Sequence, residues 1–194
     1  MLSEPMQMDP NVWGPPLWDL LFTLAFRSAD VKNIAELFRL LEKVIPCQHC
    51  RRSYAVMMNQ HKLTLITDAQ DSAAVWLWTV HDMVNQKLGK VAINFEVLKK
   101  KHKSFLALTS DLLVVDLLGM MTFVAKDEYV SVFAAKLIDL LRTLPGFRLP
   151  AVWKASDAPM LHRLHAAHAT IAPQTCLNAD TFDAFRERLS MAYA

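Results

Sequence analysis

Apolar residues recur at helical spacing along most of this 194-residue chain, and this periodicity constrains the fold more than any other feature. Three stripes place apolar side chains three or four positions apart, as on the buried face of a helix. They are Leu17, Leu20, Leu21, Leu24 and Ala25; Ile34, Leu37, Phe38, Leu41 and Val44; and Val75, Trp76, Val80, Met83, Val84 and Leu88. Only four glycines occur, and few runs alternate polar and apolar residues as strands do. The sequence therefore predicts an all-α protein.

The helical pattern divides into two regions. We expect a compact bundle over residues 11–104 and an additional helical region over 105–194, which extends the core or forms a dimer or partner interface. Ser72 is a candidate N-cap for the third stripe, and Gly89 is a candidate C-terminal cap. The lysine-rich segment 97–103 either joins the two regions or forms a solvated helix face. Later helices are predicted at about 106–124, 128–143, 158–169 and 179–192.

Composition and charge exclude several classes of protein. The chain is 53% hydrophobic and 21% charged, so it can bury a core and is not a disordered polymer. A net charge of +2 favours neither nucleic acid nor an anionic membrane as partner. The first eleven residues show no secretory signal or mitochondrial presequence. In the apolar stretch 105–125, Asp111 and Asp116 favour a buried amphipathic helix over a membrane span.

The segment IPCQHC, residues 45–50, holds two of the three cysteines, and the third is Cys176. Pro46 suits the first turn of a helix or the position before it, so Cys47 and Cys50 would share one face. Unpaired N–H groups and the positive end of the helix dipole stabilise a thiolate there. These properties favour a disulfide-exchange pair.

Two other uses of the cysteines stay open, a zinc site and inert core packing. A zinc site needs two further ligands, and neither His49 nor His61 gives the usual paired spacing. A second set of possible ligands, HRLHAAH at 162–168 with Cys176 nearby, places its histidines at i, i+3 and i+6, which do not share one tight face. We therefore expect no metal site.

Two motifs flank the cysteine pair, WGPPLWDLLFTLA at 13–25 and HDMVNQKLGK at 81–90. Core packing explains most of their apolar residues. His81, Val84 and Asn85, however, lie at i, i+3 and i+4 and put two hydrogen-bonding side chains beside an apolar one. Such a face suits a planar heterocyclic ligand with polar edges.

With these three motifs in this order, residues 11–104 resemble the Erv/ALR family of FAD-dependent sulfhydryl oxidases. The resemblance implies a four- or five-helix bundle that binds FAD, with the redox cysteines at the start of its third helix. It implies that Cys50 lies against the flavin and that Cys47 exchanges with incoming dithiols.

The resemblance also implies the cofactor contacts. Trp18 would lie near the adenine, Gly14 at a backbone turn just before it, and Lys87 and Lys90 near the ribose and phosphates. The full set of implied FAD-binding residues is Gly14, Trp18, Phe22, Trp76, His81, Val84, Asn85, Lys87, Lys90 and His102.

The chain departs from the family pattern at several positions. Phe22 stands where a histidine is common, Asp82 where asparagine is usual, and His102 where a late aromatic often contacts FAD. Many members carry a structural disulfide at the positions of Trp78 and Phe95. Because both cysteines of that disulfide are replaced by aromatics, we expect apolar packing between Trp78 and Phe95.

The implied activity is oxidation of dithiols to disulfides, with electrons passing through Cys47 and Cys50 to FAD and then to oxygen, which gives hydrogen peroxide. Family members usually carry a second cysteine pair as a shuttle, and this chain has none. We therefore expect direct attack by dithiol substrate proteins or a small redox carrier. The alternative is a non-enzymatic helical interaction module derived from such an oxidase.

The resemblance bears on assembly and location as well. We expect a homodimer, because apolar helices 106–124 and 128–143 must bury their faces and because the family commonly dimerises. Extended, divergent members occur in large DNA viruses, so host cytoplasm or virion is one expected location and the mitochondrial intermembrane space is the alternative.

Overall fold

The chain is helical throughout the part that the computed structural model describes, which is residues 8–104, 111–122, 124–145 and 164. Within these residues there are seven α-helices and no β-strand, which confirms the all-α prediction. They are α1 Pro10–Arg27, α2 Val31–Val44, α3 Gln48–Gln60, α4 Ser72–Lys87, α5 Phe95–Ser104, α6 Asp111–Thr122 and α7 Asp127–Arg142. A single 3-10 turn, Leu63–Leu65, lies between α3 and α4.

The start of α4 differs from the prediction by one residue. Asp71, with a left-handed φ of 60°, is the N-cap, and Ser72 is the first helical residue. The Ser72 hydroxyl instead accepts the backbone N–H of Thr67 at 2.7 Å and closes the preceding turn. The Asp71 carboxylate is paired with Lys99 and Lys103 of α5, at 2.9 and 2.7 Å. These ion pairs lower the pKa of Asp71 against the opposing effect of burial, which is the largest single influence.

The end of α4 confirms the predicted glycine cap. Gly89 has a φ of 65°, a conformation that costs glycine little because it has no Cβ. The N–H of Gly89 bonds to the carbonyl of Gln86 at 3.1 Å, and the N–H of Lys90 bonds to the carbonyl of Asn85 at 2.8 Å. This pair of bonds is a Schellman motif, which satisfies carbonyls that the helix end leaves unpaired.

The lysine-rich segment 97–103 is not a linker, because it forms most of α5 and packs against α1. Leu98 and His102, four residues apart, are buried on the face toward the bundle. The lysines lie on the remaining surface, where Lys101 pairs with Asp19 of α1 at 2.6 Å. Of the two alternatives for this segment, the charged helix face is correct.

Helices α6 and α7 share one continuous core with the first five helices. α7 packs along α2 and α6, and α6 also contacts α1. An ion pair between Lys136 and Glu36 joins α7 to α2. Residues 114–121 of α6 are all buried, including Asp116, so this part of the helix is buried as predicted and has no exposed polar face.

The described helices agree with two of the four later predictions, since α6 lies within 106–124 and α7 matches 128–143 to one residue at each end. The predictions at 158–169 and 179–192 lie outside the described residues, apart from Leu164, which is helical and buried. None of the helices described is both long and apolar enough to cross a membrane.

Candidate redox site

Cys47 and Cys50 form a disulfide at the start of α3, with their Cα atoms 5.2 Å apart. Proline forces its preceding residue into an extended conformation, and Ile45, with ψ 126°, ends α2 in this way. The chain then turns at Pro46, and Cys47 becomes the N-cap of α3. Its Sγ accepts the backbone N–H of Cys50 at 3.1 Å. The sulfur of Cys47 therefore sits where a helix start stabilises negative charge.

The two cysteines differ in exposure. Cys47 is only 4% exposed, whereas Cys50 is partly exposed. The segment leading into α1 lies nearby, because the N–H of Met8 donates to the carbonyl of Pro46 at 3.2 Å. The indole N–H of Trp13 donates to the carbonyl of Met8 at 3.1 Å and holds that segment. The cysteine that the resemblance assigns to substrate exchange is thus the more buried one.

Basic side chains surround the start of α3. On the side of α4, the Nζ of Lys87 donates to Ser53 Oγ and lies 3.3 Å from His49 Nε2. On the opposite side, the Arg51 guanidinium donates to two backbone carbonyls, and partial burial lowers its pKa. Positive charge near a cysteine pair favours the thiolate form that exchanges disulfides.

A second cluster forms around His81 on α4. Its ring lies 4.6 Å from the Trp18 ring and 5.6 Å from the Phe22 ring, both in edge-on geometry. Phe22 also stacks on His102 of α5 at 5.6 Å. The His102 Nδ1 lies 3.1 Å from Thr23 Oγ1. The structure therefore brings together four of the predicted cofactor residues from three helices.

Thr23 was not predicted as a site residue, although the sequence carries a signal for it. It is the one polar side chain in the run Leu20–Phe26. Its hydroxyl donates to the carbonyl of Asp19 at 2.8 Å, so its oxygen can accept a hydrogen bond from an N–H at His102 Nδ1. Thr23 thereby orients the His102 ring.

The His81 cluster fits a planar ligand with polar edges, as FAD has. His81 Nδ1 and His102 Nε2 are buried and have no hydrogen-bond partner among the described residues. Asp19 Oδ1, at 3.6 Å from His102 Nε2, is too far for a hydrogen bond. Burial is the largest influence on both rings and lowers the pKa of each, so both are neutral near pH 7. Unpaired buried polar atoms are costly, and Asn85, 6% exposed, adds further hydrogen-bonding groups.

Two implied cofactor residues lie in different surroundings from those expected. Gly14 is inside α1 and not at a turn, because the helix already begins at Pro10 behind the Asp9 cap. Trp76 is buried in the core, where it stacks on Phe38 at 5.2 Å. Its indole N–H donates to the carbonyls of His61 and Lys62, so Trp76 anchors the loop after α3.

The two basic residues at the end of α4 also separate from the His81 cluster. A helix turns about 100° per residue, so Lys87 projects from nearly the opposite side of α4 to Asn85. Lys87 faces α3, as its contacts with His49 and Ser53 show. Lys90 lies beyond the helix end and is exposed. Val84 is partly buried and packs against the core beside His81.

Trp78 and Phe95 make the contact expected from the replaced disulfide. Their rings pack edge to face with centroids 5.7 Å apart. The indole N–H of Trp78 donates to the carbonyl of Ile93 at 2.7 Å. Aromatic packing thus links α4 to the start of α5.

Two clefts flank α3. The larger, about 510 Å³, lies between α3 and α4 and is lined by His49, Arg52, Ser53, Val56, Met57, Gln60, Met83, Gln86 and Lys87. The smaller, about 370 Å³, is lined by Glu42, Lys43, Gln48, Arg51, Arg52, Ala55, Val124, Lys126 and Tyr129. In the described part of the chain, no three His, Cys, Asp or Glu side chains gather as metal ligands. The segment HRLHAAH and Cys176 lie outside that part, apart from Leu164.

Comparison with known proteins gives one consistent answer. Residues 15–103 match the model of the Erv1 / Alr family. An African swine fever virus protein named FAD-linked sulfhydryl oxidase is 24% identical over 113 residues, covering 55% of this chain and 93% of the relative. The FAD-linked sulfhydryl oxidase ERV1 of Arabidopsis thaliana is 27% identical over 89 residues, covering 43% of this chain and 46% of the relative.

A third relative is also viral. The probable FAD-linked sulfhydryl oxidase R368 of Acanthamoeba polyphaga mimivirus is 25% identical over 95 residues, covering 45% of this chain and 66% of the relative. No solved structure matches the chain. The family match includes the Cys47–Cys50 disulfide, the His81 cluster and all of the three motifs except Trp13 and Gly14, so residues 15–103 of this chain are similar to the Erv1/Alr family.

Proposed function

We propose that the protein is an FAD-linked thiol oxidase that forms disulfide bonds in substrate proteins. The observation that carries this proposal is the Cys47–Cys50 disulfide at the start of α3, inside the Erv1/Alr match. Relatives named FAD-linked sulfhydryl oxidases support both the thiol substrate and the cofactor.

The cysteine pair carries out the thiol chemistry. A substrate thiolate attacks Cys47 Sγ, the Cys47–Cys50 bond breaks, and Cys50 leaves as a thiolate. A second substrate thiolate then attacks the substrate sulfur of the mixed disulfide, and Cys47 leaves. The N–H of Cys50 and the helix start stabilise this leaving thiolate, which speeds the exchange. The substrate loses two electrons and two protons, and the cysteine pair gains the electrons.

The other predicted residues would bind the cofactor. When bound, FAD supplies the two-electron acceptor that restores the disulfide, with dioxygen as the final acceptor and hydrogen peroxide as product. His81, Asn85 and His102 offer hydrogen-bonding groups to its heterocyclic edges, and Trp18 and Phe22 offer aromatic faces. Lys90, exposed beyond the end of α4, would offer positive charge for its phosphates, whereas Lys87 is turned toward α3 and would contribute less than the resemblance implies.

Electrons enter the site directly from the substrate. The only cysteine besides the pair is Cys176, so the chain has no second pair to serve as a shuttle. Dithiol proteins or a small redox carrier therefore react with Cys47 themselves. The homodimer stays a prediction that light scattering can test. Most of the described apolar side chains of α6 and α7 are buried within the chain, so these helices give it less support than the sequence suggests.

An absorbance spectrum and two variants test the proposal. The purified protein should be yellow and contain about one FAD per chain. Cys47→Ser and Cys50→Ser should keep the flavin spectrum and lose oxidation of dithiothreitol, because each removes one half of the exchanging disulfide. Cys176→Ser is the matched control and should retain activity. A colourless protein that takes up no FAD on reconstitution would refute the oxidase.

A further inference from the structure

The smaller cleft beside α3 opens next to the redox disulfide. Gln48, which lines it, directly follows Cys47, and the Cα atoms of neighbouring residues are about 3.8 Å apart. The end of α2 forms a second wall, and the turn into α7 forms a third. Val124, Lys126 and Tyr129 of that third wall lie beyond residue 103, where the family match ends.

The cleft is strongly basic. Four of its nine lining residues are Lys43, Arg51, Arg52 and Lys126, against one carboxylate, Glu42. Glu42 is already paired with Lys43 at 2.9 Å. The Lys126 side chain is 76% exposed and forms an ion pair with Glu128 at 3.9 Å, which solvent screens. The residues that line the cleft therefore carry an excess of positive charge, four cations against one carboxylate.

Arg51 holds the three walls together. One guanidinium nitrogen donates to the carbonyl of Lys43 at the end of α2, and the other donates to the carbonyl of Val124 before α7, each at 3.0 Å. Because Arg51 is itself on α3, these bonds fix the added helical region against the redox helix. The position of Lys126 relative to Cys47 is thus built into the fold.

We propose that this cleft docks an acidic segment of the substrate protein, adjacent in sequence to the dithiol that is oxidised. This inference rests on the proposed oxidase function and names the class of its substrate. An acidic segment in the cleft would be complementary in charge and would place the neighbouring thiol beside Cys47. The same positive field steers the encounter with an acidic partner.

Matched peptides test the docking directly. One fluorescent peptide carries Asp and Glu around a Cys-x-x-Cys segment, and a second carries Lys at the same positions. In a second version of each peptide, serine replaces cysteine, so that fluorescence anisotropy reports binding without oxidation. We expect the acidic peptide to bind at least about tenfold more tightly than the basic one at low salt, with the difference shrinking as salt rises. The ratio of kcat/KM for the cysteine versions should follow binding.

Charge reversal identifies the cleft as the site. The double variant Lys43→Glu/Lys126→Glu should weaken binding of the acidic peptide about tenfold and strengthen binding of the basic peptide, while oxidation of neutral dithiothreitol changes less than about twofold. The control Lys32→Glu/Lys62→Glu makes the same change in net charge elsewhere. Lys32 lies eleven residues from Lys43 on α2, about 16 Å away. The gain for the basic peptide shows that the double variant is folded.

The outcomes separate the two proposals. The docking inference would be overturned if acidic and basic peptides bound equally and had equal kcat/KM. If dithiothreitol were still oxidised, the proposed oxidase function would be unaffected. Equal losses in the double variant and its control would also overturn it, because net charge and not the cleft would be responsible. Charge-dependent binding without oxidation of any dithiol by the FAD-loaded protein would instead refute the oxidase and retain the cleft as a peptide site.

Discussion

Substitution of Trp78 and Phe95 tests how much their contact stabilises the bundle. Many resembling proteins carry a disulfide at these two positions. Their rings pack edge to face at 5.7 Å, and the Trp78 indole also donates to the Ile93 carbonyl. An edge-to-face pair contributes about 0.5–1.5 kcal/mol beyond its buried area. The hydrogen bond adds about 1 kcal/mol. Because Trp78 is only partly buried, we expect Trp78→Ala to cost about 2 kcal/mol, below the range for a fully buried aromatic.

A double-mutant cycle isolates the contact between the two rings. Phe95 also packs on Phe26 at 5.5 Å, so Phe95→Ala alone loses more than its contact with Trp78. The cycle of Trp78→Ala, Phe95→Ala and the double variant cancels that loss and should give a coupling of about 0.5–1.5 kcal/mol. Trp78→Phe keeps a ring and removes the hydrogen bond, so it should cost about 1 kcal/mol or less.

Urea unfolding followed by far-ultraviolet circular dichroism is the suitable measurement, since it does not depend on the tryptophan that is changed. In a domain of this size, 1 kcal/mol corresponds to a shift of about 2–4 °C in Tm, which gives a second check. A coupling below about 0.3 kcal/mol, within the range of independent sites, would refute the view that this aromatic pair links α4 to α5.

Further predictions concern glycines and histidines. Gly89→Ala should lower the free energy of unfolding by about 1 kcal/mol in thermal melts, because φ is 65° there. Gly14→Ala should have a free energy of unfolding equal to or slightly above that of the wild type, because Gly14 is helical and has open space at the Cβ position. Loss of FAD from Gly14→Ala at unchanged stability would support its predicted cofactor role. Burial lowers the pKa of His81 and His102 below 6.5, so the unfolded chain takes up protons first on acidification. Between about pH 7.5 and 5.5, stability in urea titrations should therefore fall, by at most about 1.4 kcal/mol per pH unit for each histidine. Replacing both with Gln should reduce that slope, and an unchanged slope would contradict the assignment.

Structural features with a local cause could be predicted from the sequence alone. Apolar spacing gave the helices, since the helical repeat alone decides which side chains share a face. Gly89 ends α4 because a φ of 65° costs glycine little, and Pro46 separates α2 from α3. Ser72 was misplaced by one position because the conformation at Asp71 accompanies ion pairs to distant α5. The segment 97–103 was ambiguous for the same reason, since its two inward residues gain their role only against α1.

Only the tertiary structure decided which helix faces pack against each other. Burial of apolar surface is non-directional, so a stripe shows that a helix is buried without naming its neighbour. Shape and the placement of polar groups make that choice, and they depend on residues far apart in the chain. His81 meets Trp18 and Phe22, Lys87 turns away toward α3, and Arg51 reaches the carbonyl of Val124, 73 residues later. The sequence by itself thus determined the helices and the cysteine pair, while tertiary packing placed a basic cleft beside that pair.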